Sequence, residues 1–443
     1  MQVFDAMCRR GVFLLVVLVF TSGLMTVGSV ATAAPRIEHW VAPSGANVYF
    51  VENRALPILD VQVDFAAGSA SEPADKTGLA SMTHALLDMG VAGMDENAIS
   101  TRLADLGAQL SGSVSADRAS LSLRTLSAPA SREPALKVLS AVLSTPQFPA
   151  AVFEREKART IAALKEAMTR PDTIASRAFW AALYPQHPYG RHTTPESLTR
   201  ITKDDLERFY RTHYRAGGAV VTIVGDLGRA EAEAVATGLT ASLPSGRGPG
   251  LQGRVELQDG KELRLAHPAA QAHVLIGLPA LRRGDPDFFA LQVGNYTLGG
   301  GGFVSRLMRE VREKRGFAYS VYSGFVPLEQ LGPFQISLQT SKEQANEALR
   351  VVRDVVSGFM ADGPSEDELR AAKQYLSGSF PLRLDSNRKL LDNVAVIGFY
   401  GLPLDYLDSY VDKVEQVTAA DVRAAFARHV LQDKLVTVVV GGE

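Results

Sequence analysis

Residues 201–226, ITKDDLERFYRTHYRAGGAVVTIVGD, and residues 417–443, VTAADVRAAFARHVLQDKLVTVVVGGE, read as one unit written twice. At a constant offset of 216 positions, Ile201 faces Val417, Asp205 faces Asp421, Leu206 faces Val422, Tyr210 faces Phe426, His213 faces His429 and Gly225 faces Gly441. Each copy predicts a Thr-capped helix with an acid in its first turns, a short connection, and a β-branched strand ending in glycine. A unit that closes both halves of a chain makes the chain a pseudo-duplicate. His213 and His429 recur at the same place, just ahead of the strand. A repeated position of that kind points to packing or capping rather than to chemistry.

Outward from these units, the halves also open alike. LPILDVQVDFAAG (56–68) and AHVLIGLPAL (272–281) carry strand patterns, and a long helical stretch is expected after each. Between the halves, LPSGRGPGLQG (243–253) is the densest Pro/Gly segment after the N-terminal region and predicts a linker. The expected architecture is therefore α+β, with two homologous domains at 36–242 and 254–443.

The 443 residues, 46% hydrophobic, suffice for two packed cores. A formal net charge of −2 leaves no electrostatic footprint for nucleic acid or an anionic membrane. At the start, Arg9 and Arg10 precede an apolar run from Val12 to Phe20, and a small-residue stretch ends in Ala-Thr-Ala-Ala at 31–34. This is the pattern of a cleavable secretory signal over 1–34. Thr21, Ser22 and Gly23 interrupt the run before it reaches the roughly 18 to 20 residues of a spanning helix. The expectation is a periplasmic protein, free of the membrane once processed. The one cysteine, Cys8, lies within the leader, so the processed chain has no thiol and cysteine catalysis is excluded.

The stretch GLASMTHALLDMG (78–90) holds one histidine, His84, and one acid, Asp88, four residues on. No two of the eight histidines are four residues apart, and His84 with Asp88 supplies two ligands on one helix face where a catalytic zinc needs three. No G-x-S-x-G surrounds a serine, and LGGGG (298–302) lacks the Lys-Ser/Thr of a phosphate loop. Serine catalysis and nucleotide hydrolysis are set aside.

TGLASMTHALLDMG (77–90), HPYGRHTTPESLTRITKDDLERFYRTHYRAGGAVVTIVGD (187–226) and LGGGGFVSRLMREVREKRGFAYSVYSGF (298–325) resemble the pitrilysin/insulinase family of zinc peptidases, the inverzincins. The resemblance implies two homologous domains arranged as half of a clamshell. Active members carry H-x-x-E-H, two zinc-binding histidines one turn apart with a glutamate that polarises water. Aligned on GLA, those positions fall on Ser81, His84 and Ala85, and the further acidic ligand falls near Ala163, one turn from Glu166. The resemblance therefore implies a degenerate zinc site, no metal in this chain, and no peptidase activity alone.

The family's second half contributes an Arg and a Tyr, seven residues apart, that reach the peptide and steady the oxyanion. In VREKRGFAY these positions are Arg312 and Tyr319. An ionised guanidinium and a neutral hydroxyl suit charge that develops in a transition state. By composition alone, Arg312 belongs to a solvated charged helix, REVREKR, and Tyr319 to an ordinary strand. For Gly299, Gly300, Gly301 and Gly302 two readings stand: a turn where peptide backbone passes, as in the non-catalytic subunit of a mitochondrial processing peptidase, or a plain strand-to-helix turn. The implied function is a non-catalytic, substrate-binding subunit of a periplasmic heterodimeric zinc peptidase, working in trans with a secreted partner that carries H-x-x-E-H and the zinc. The alternative is a structural or peptide-binding protein of the same fold.

Overall fold

The structure, a computed structural model, describes residues 36–251 and 253–441. The leader expected over 1–34 lies outside them. Eight strands belong to the first half: β1 (Glu38–Val41), β2 (Asn47–Glu52), β3 (Ile58–Phe65), β4 (Gly90–Val91), β5 (Met94–Asp95), β6 (Gln109–Val114), β7 (Ala119–Leu126) and β8 (Val220–Gly225). β4 and β5 form a small ribbon, and the other six form a sheet in the order β1-β2-β8-β3-β7-β6. Its strands are antiparallel except for the β2–β8 pair.

The second half supplies β9 (Glu262–Leu265), β10 (Gln271–Leu281), β11 (Ala318–Phe325), β12 (Gly332–Ser341) and β13 (Val436–Val440), ordered β11-β12-β10-β13-β9. Here too one pair, β13–β9, is parallel. β13 answers β8, β10 answers β3, β12 answers β7, β11 answers β6 and β9 answers β2. The duplication seen in the closing units thus extends to whole sheets, except that among the described residues the second has no counterpart of β1.

The closing units take their forms for local reasons. Thr202 and Asp205 cap the helix Lys203–His213 reciprocally, and Thr418 and Asp421 cap Ala419–His429 in the same way. At the far end of these helices, His213 Nδ1 donates to the Ala66 carbonyl at 3.2 Å and His429 Nδ1 to the Ala280 carbonyl at 2.9 Å. The two histidines tie equivalent helix ends to equivalent strands.

The structure adds detail to two expectations. The helices after β3 and β10 are short, Leu79–Ala85 and Phe288–Asn295, the first entered through Gly78 at φ 101° and the second passing into a wide turn over Tyr296–Gly300. The division at 243–253 also separates the sheets but not the layers that cover them. The helix Pro171–Leu183 packs on β10 and β13 of the second sheet, while its counterpart 216 residues on, Asn387–Tyr400, packs on β2, β3 and β8 of the first. Close approach is met by glycine at both crossings. A Cβ on Gly277 would lie 2.9 Å from the Phe179 ring, and one on Gly398 would lie 2.7 Å from the Tyr49 ring. Apolar periodicity says that a helix has a face to bury, and not which sheet receives it. Among the described residues no helix is long and apolar enough to cross a membrane.

Candidate functional site

The helix Leu79–Ala85 lies against edge strand β6 and the helix Lys203–His213. Its N-terminal N–H groups are held by a buried acid: Gly78 N donates to Glu72 Oε2 at 2.9 Å and Ala80 N to Oε1 at 2.7 Å. Burial pushes the Glu72 carboxyl up to about 7, against the opposing pull of those donors and of Arg191.

On this helix Ser81 and Ala85 are exposed, and neither offers a zinc ligand. His84 turns inward. Its Nε2–H donates to the Ser120 carbonyl at 2.8 Å, and its ring fills the space left by Gly112 of β6, where a Cβ would lie 2.5 Å from Nε2. Burial pushes the imidazole below its ordinary value, which favours the neutral, singly donating form. Asp88 lies beyond the helix, in the turn after Leu86, and stays near enough to His84 for their charges to interact. Ala163 and Glu166 are both exposed on the helix Ala150–Ala167. These residues do not fit a catalytic zinc. Among the described residues, one group of three metal-competent side chains comes together, Asp285, Asp287 and His429 in the second half. There Arg428 already donates to both Asp287 oxygens, at 2.8 and 2.7 Å, and opposes a further cation.

The second half brings Arg312 and Tyr319 together. Arg312 rides on a helical turn over Met308–Glu313, and Tyr319 is the second residue of β11, the outer strand of its sheet. The β11–β12 register slips between Ala318 and Val321, placing Tyr319 in a bulge that turns its ring outward, 86% exposed. The Arg312 guanidinium carbon lies 5.4 Å from the Tyr319 ring centroid and 4.8 Å from that of Phe303, itself 65% exposed. Phe303 is the member of this cluster that sequence reasoning missed. Its signal was an aromatic residue directly after a glycine run.

Charge pairing sets Arg312 apart from its neighbours. Arg306 pairs with Glu368 at 2.6 Å, while Arg309, Lys314 and Arg315 converge on Glu310 at 3.5, 2.8 and 3.0 Å. Lys314 above all, with Arg315 and Arg309, holds the Glu310 carboxyl down to about 2. Arg312 has no carboxylate partner among the described residues, and its N–H groups stand beside two exposed rings.

The glycine run is largely filled by its own chain. A Cβ on Gly299 would lie 2.7 Å from the Ser323 nitrogen, on Gly300 2.6 Å from Asn295 Nδ2, and on Gly301 2.6 Å from the Tyr296 carbonyl oxygen. Gly299 allows the helix end to pack on β11, while Gly300 and Gly301 let the chain turn back on Asn295 and Tyr296. Gly302, at φ +61°, has open space beside it and leads directly into Phe303 and Val304.

Two family patterns match the chain: Insulinase (Peptidase family M16) over residues 48–196, and Peptidase M16 inactive domain over residues 200–376. The crystal structure of a peptidase M16 inactive domain from Pseudomonas fluorescens is 38% identical, with a TM-score of 0.89 over 92% of this chain and 98% of that one. The non-peptidase homolog YmxG of Helicobacter pylori is 25% identical over 86% of this chain and 88% of its own length. The uncharacterized zinc protease SCO5738 of Streptomyces coelicolor is 31% identical over 54% of this chain, and the match spans about half, 53%, of that relative.

Proposed function

The chain belongs to the insulinase family of peptidases, family M16, and from that premise we propose that it is a non-catalytic subunit that presents Arg312 and Tyr319 to a peptide held in a cavity shared with a zinc-bearing partner of the same family. One observation carries the reading: Arg312 is the cation of its helical turn left without a carboxylate, and it is held against two exposed aromatic rings. A guanidinium kept unpaired at a surface is available for a carbonyl or an oxyanion. The His84 imidazole, which the family alignment places at the zinc corner, is committed to the Ser120 carbonyl, which supports assigning the metal and its water to the partner. The name of the Helicobacter relative, a non-peptidase homolog, supports the same division.

The chemistry assigned to this chain is binding and charge stabilisation. Arg312 and the Tyr319 hydroxyl would donate to the scissile carbonyl oxygen as it gains charge, while the partner's zinc supplies the activated water. The test is reconstitution. The chain, coexpressed with an exported M16 relative that carries H-x-x-E-H, should copurify with it and cleave peptides that neither cleaves alone. A partner that cleaves equally well without this chain would overturn the proposal.

We also propose export to the periplasm, on the basic, apolar and Ala-Thr-Ala-Ala segments of residues 9–34. N-terminal sequencing of the cell-envelope protein should find a start near Ala34 or Pro35, and an intact Met1 on cytoplasmic protein would refute it.

A further inference from the structure

A cavity of about 550 Å³ opens where four parts of the fold meet: the linker at 247–250, the β2 and β8 strands, the end of the exchanged helix Asn387–Tyr400, and the end of β10. Its size falls in the range of small-molecule sites. Besides the phenols of Tyr49 and Tyr400, the ionisable side chains lining it are Arg247, Arg282, Arg283, His39, His213 and Glu329. The balance is cationic, three guanidinium groups against one carboxyl.

The arginines make no direct ion pair among the described residues. Arg247 Nε donates to the Gly217 carbonyl and Arg282 Nε to the Glu329 carbonyl, both at 3.2 Å. Arg283, half-buried, lies over the Tyr400 ring at 5.2 Å, and its Nε is buried without a hydrogen-bond partner. None of the three has a carboxylate partner among the described residues. The nearby buried acid, Asp117, makes its hydrogen bonds elsewhere: it accepts from the Tyr189 hydroxyl at 2.5 Å, the Tyr400 hydroxyl at 2.8 Å and Glu329 N at 2.9 Å, and acts on Arg283 through its charge alone. Burial pushes the Arg283 guanidinium down, and the nearby Tyr400, Tyr406 and Asp117 offset that only in part.

We propose that this cavity binds a small dianion, a carboxylate or phosphate compound gripped by Arg283 with Arg247 and Arg282. A forked guanidinium matches the oxygens of either group in bidentate geometry, and an anion would satisfy a buried donor that the fold leaves open. The site sits between the linker and the exchanged helix, away from Arg312 in sequence. It is independent of the peptidase reading, and a ligand there would bridge the two halves of the chain.

The test uses the full processed chain and two probes, inorganic phosphate and succinate, against chloride at matched ionic strength, read by titration calorimetry and thermal denaturation. At least one dianion should bind and raise the melting temperature, more weakly as salt increases. Which of them binds distinguishes a phosphorylated ligand from a carboxylate ligand. Arg283→Ala and the exposed Arg247→Ala should each weaken binding roughly tenfold, and Glu329→Gln, which removes the opposing charge, should strengthen it several-fold. If Arg283→Ala fails to fold, the Arg247 and Glu329 variants carry the test. The proposal is overturned if neither dianion binds better than chloride, or if Arg247→Ala and Glu329→Gln bind as the unmutated chain does.

Discussion

The guanidinium of Arg312 lies over the ring of Tyr319, 5.4 Å from its centroid, although the two residues leave different elements, a helical turn and a bulged edge strand. An exposed cation–π contact contributes about 0.5–1 kcal/mol, too little to matter for global stability. Its effect is orientation: with the Phe303 ring 4.8 Å away, Arg312 has fewer rotamers to lose when it meets a ligand.

In a reconstituted complex, Arg312→Ala and Tyr319→Phe should leave folding and pairing intact and lower peptidase activity by roughly 10²- to 10³-fold, the scale of losing one oxyanion-type donor. The loss should fall on kcat if the donors act only in the transition state, and on KM if they merely hold peptide. Arg312→Lys should rescue poorly, since it keeps the charge and loses the fork. Phe303→Ala should cost less, because it frees the donor without removing it. Arg309, already turned toward Glu310 and Glu368, is the control. Equal and undiminished cleavage by the Arg312→Ala and Arg309→Ala complexes would rule out the trans-acting role.

The purified chain should carry well below one zinc per molecule by elemental analysis, and His84→Ala should not change the figure. The reason is the Nε2–H bond to Ser120 O together with exposed Ser81 and Ala85. One tightly bound zinc that disappears in His84→Ala would contradict this reading.

Asp117 joins the hairpin between β6 and β7 to Tyr189, to the end of the exchanged helix at Tyr400, and to the hairpin between β11 and β12 at Glu329. Asp117→Ala leaves two largely buried hydroxyls and a backbone N–H without their acceptor, at a cost of about 2–4 kcal/mol. Denaturant unfolding measures it. A loss below about 1 kcal/mol would mean that water replaces the carboxylate.

Glu72 predicts a pH dependence. Its carboxyl, raised from an ordinary 4.5 to about 7 by burial, keeps a proton in the fold at pH values where the unfolded chain has lost it. The folded state binds more protons through that window, so the contribution is fully present below about 4.5 and is lost as pH rises through 7. Relative to Glu72→Gln, the unmutated chain should lose up to about 3 kcal/mol between pH 4.5 and 8. Parallel stability curves for the two proteins would show that the backbone N–H donors hold the carboxylate charged instead.

Much of this protein was legible as sequence because the decisive signals are local. The capping residues Thr202 with Asp205 and Thr418 with Asp421, the β-branched strands that follow, and their constant spacing specify a duplicated α+β unit within about 25 residues each. That Ser81 and Ala85 carry no imidazole or carboxylate is equally plain without coordinates, because ligand identity is a property of the residue itself. Tertiary structure alone decided where separate segments meet. It sent Pro171–Leu183 to the second sheet and Asn387–Tyr400 to the first, turned His84 onto Ser120, set Phe303 beside Arg312, and gathered three arginines around one cavity. Each of these depends on partners outside the local pattern. A hydrophobic period or a charge names the kind of contact a residue needs, while the packing of the whole chain chooses the partner.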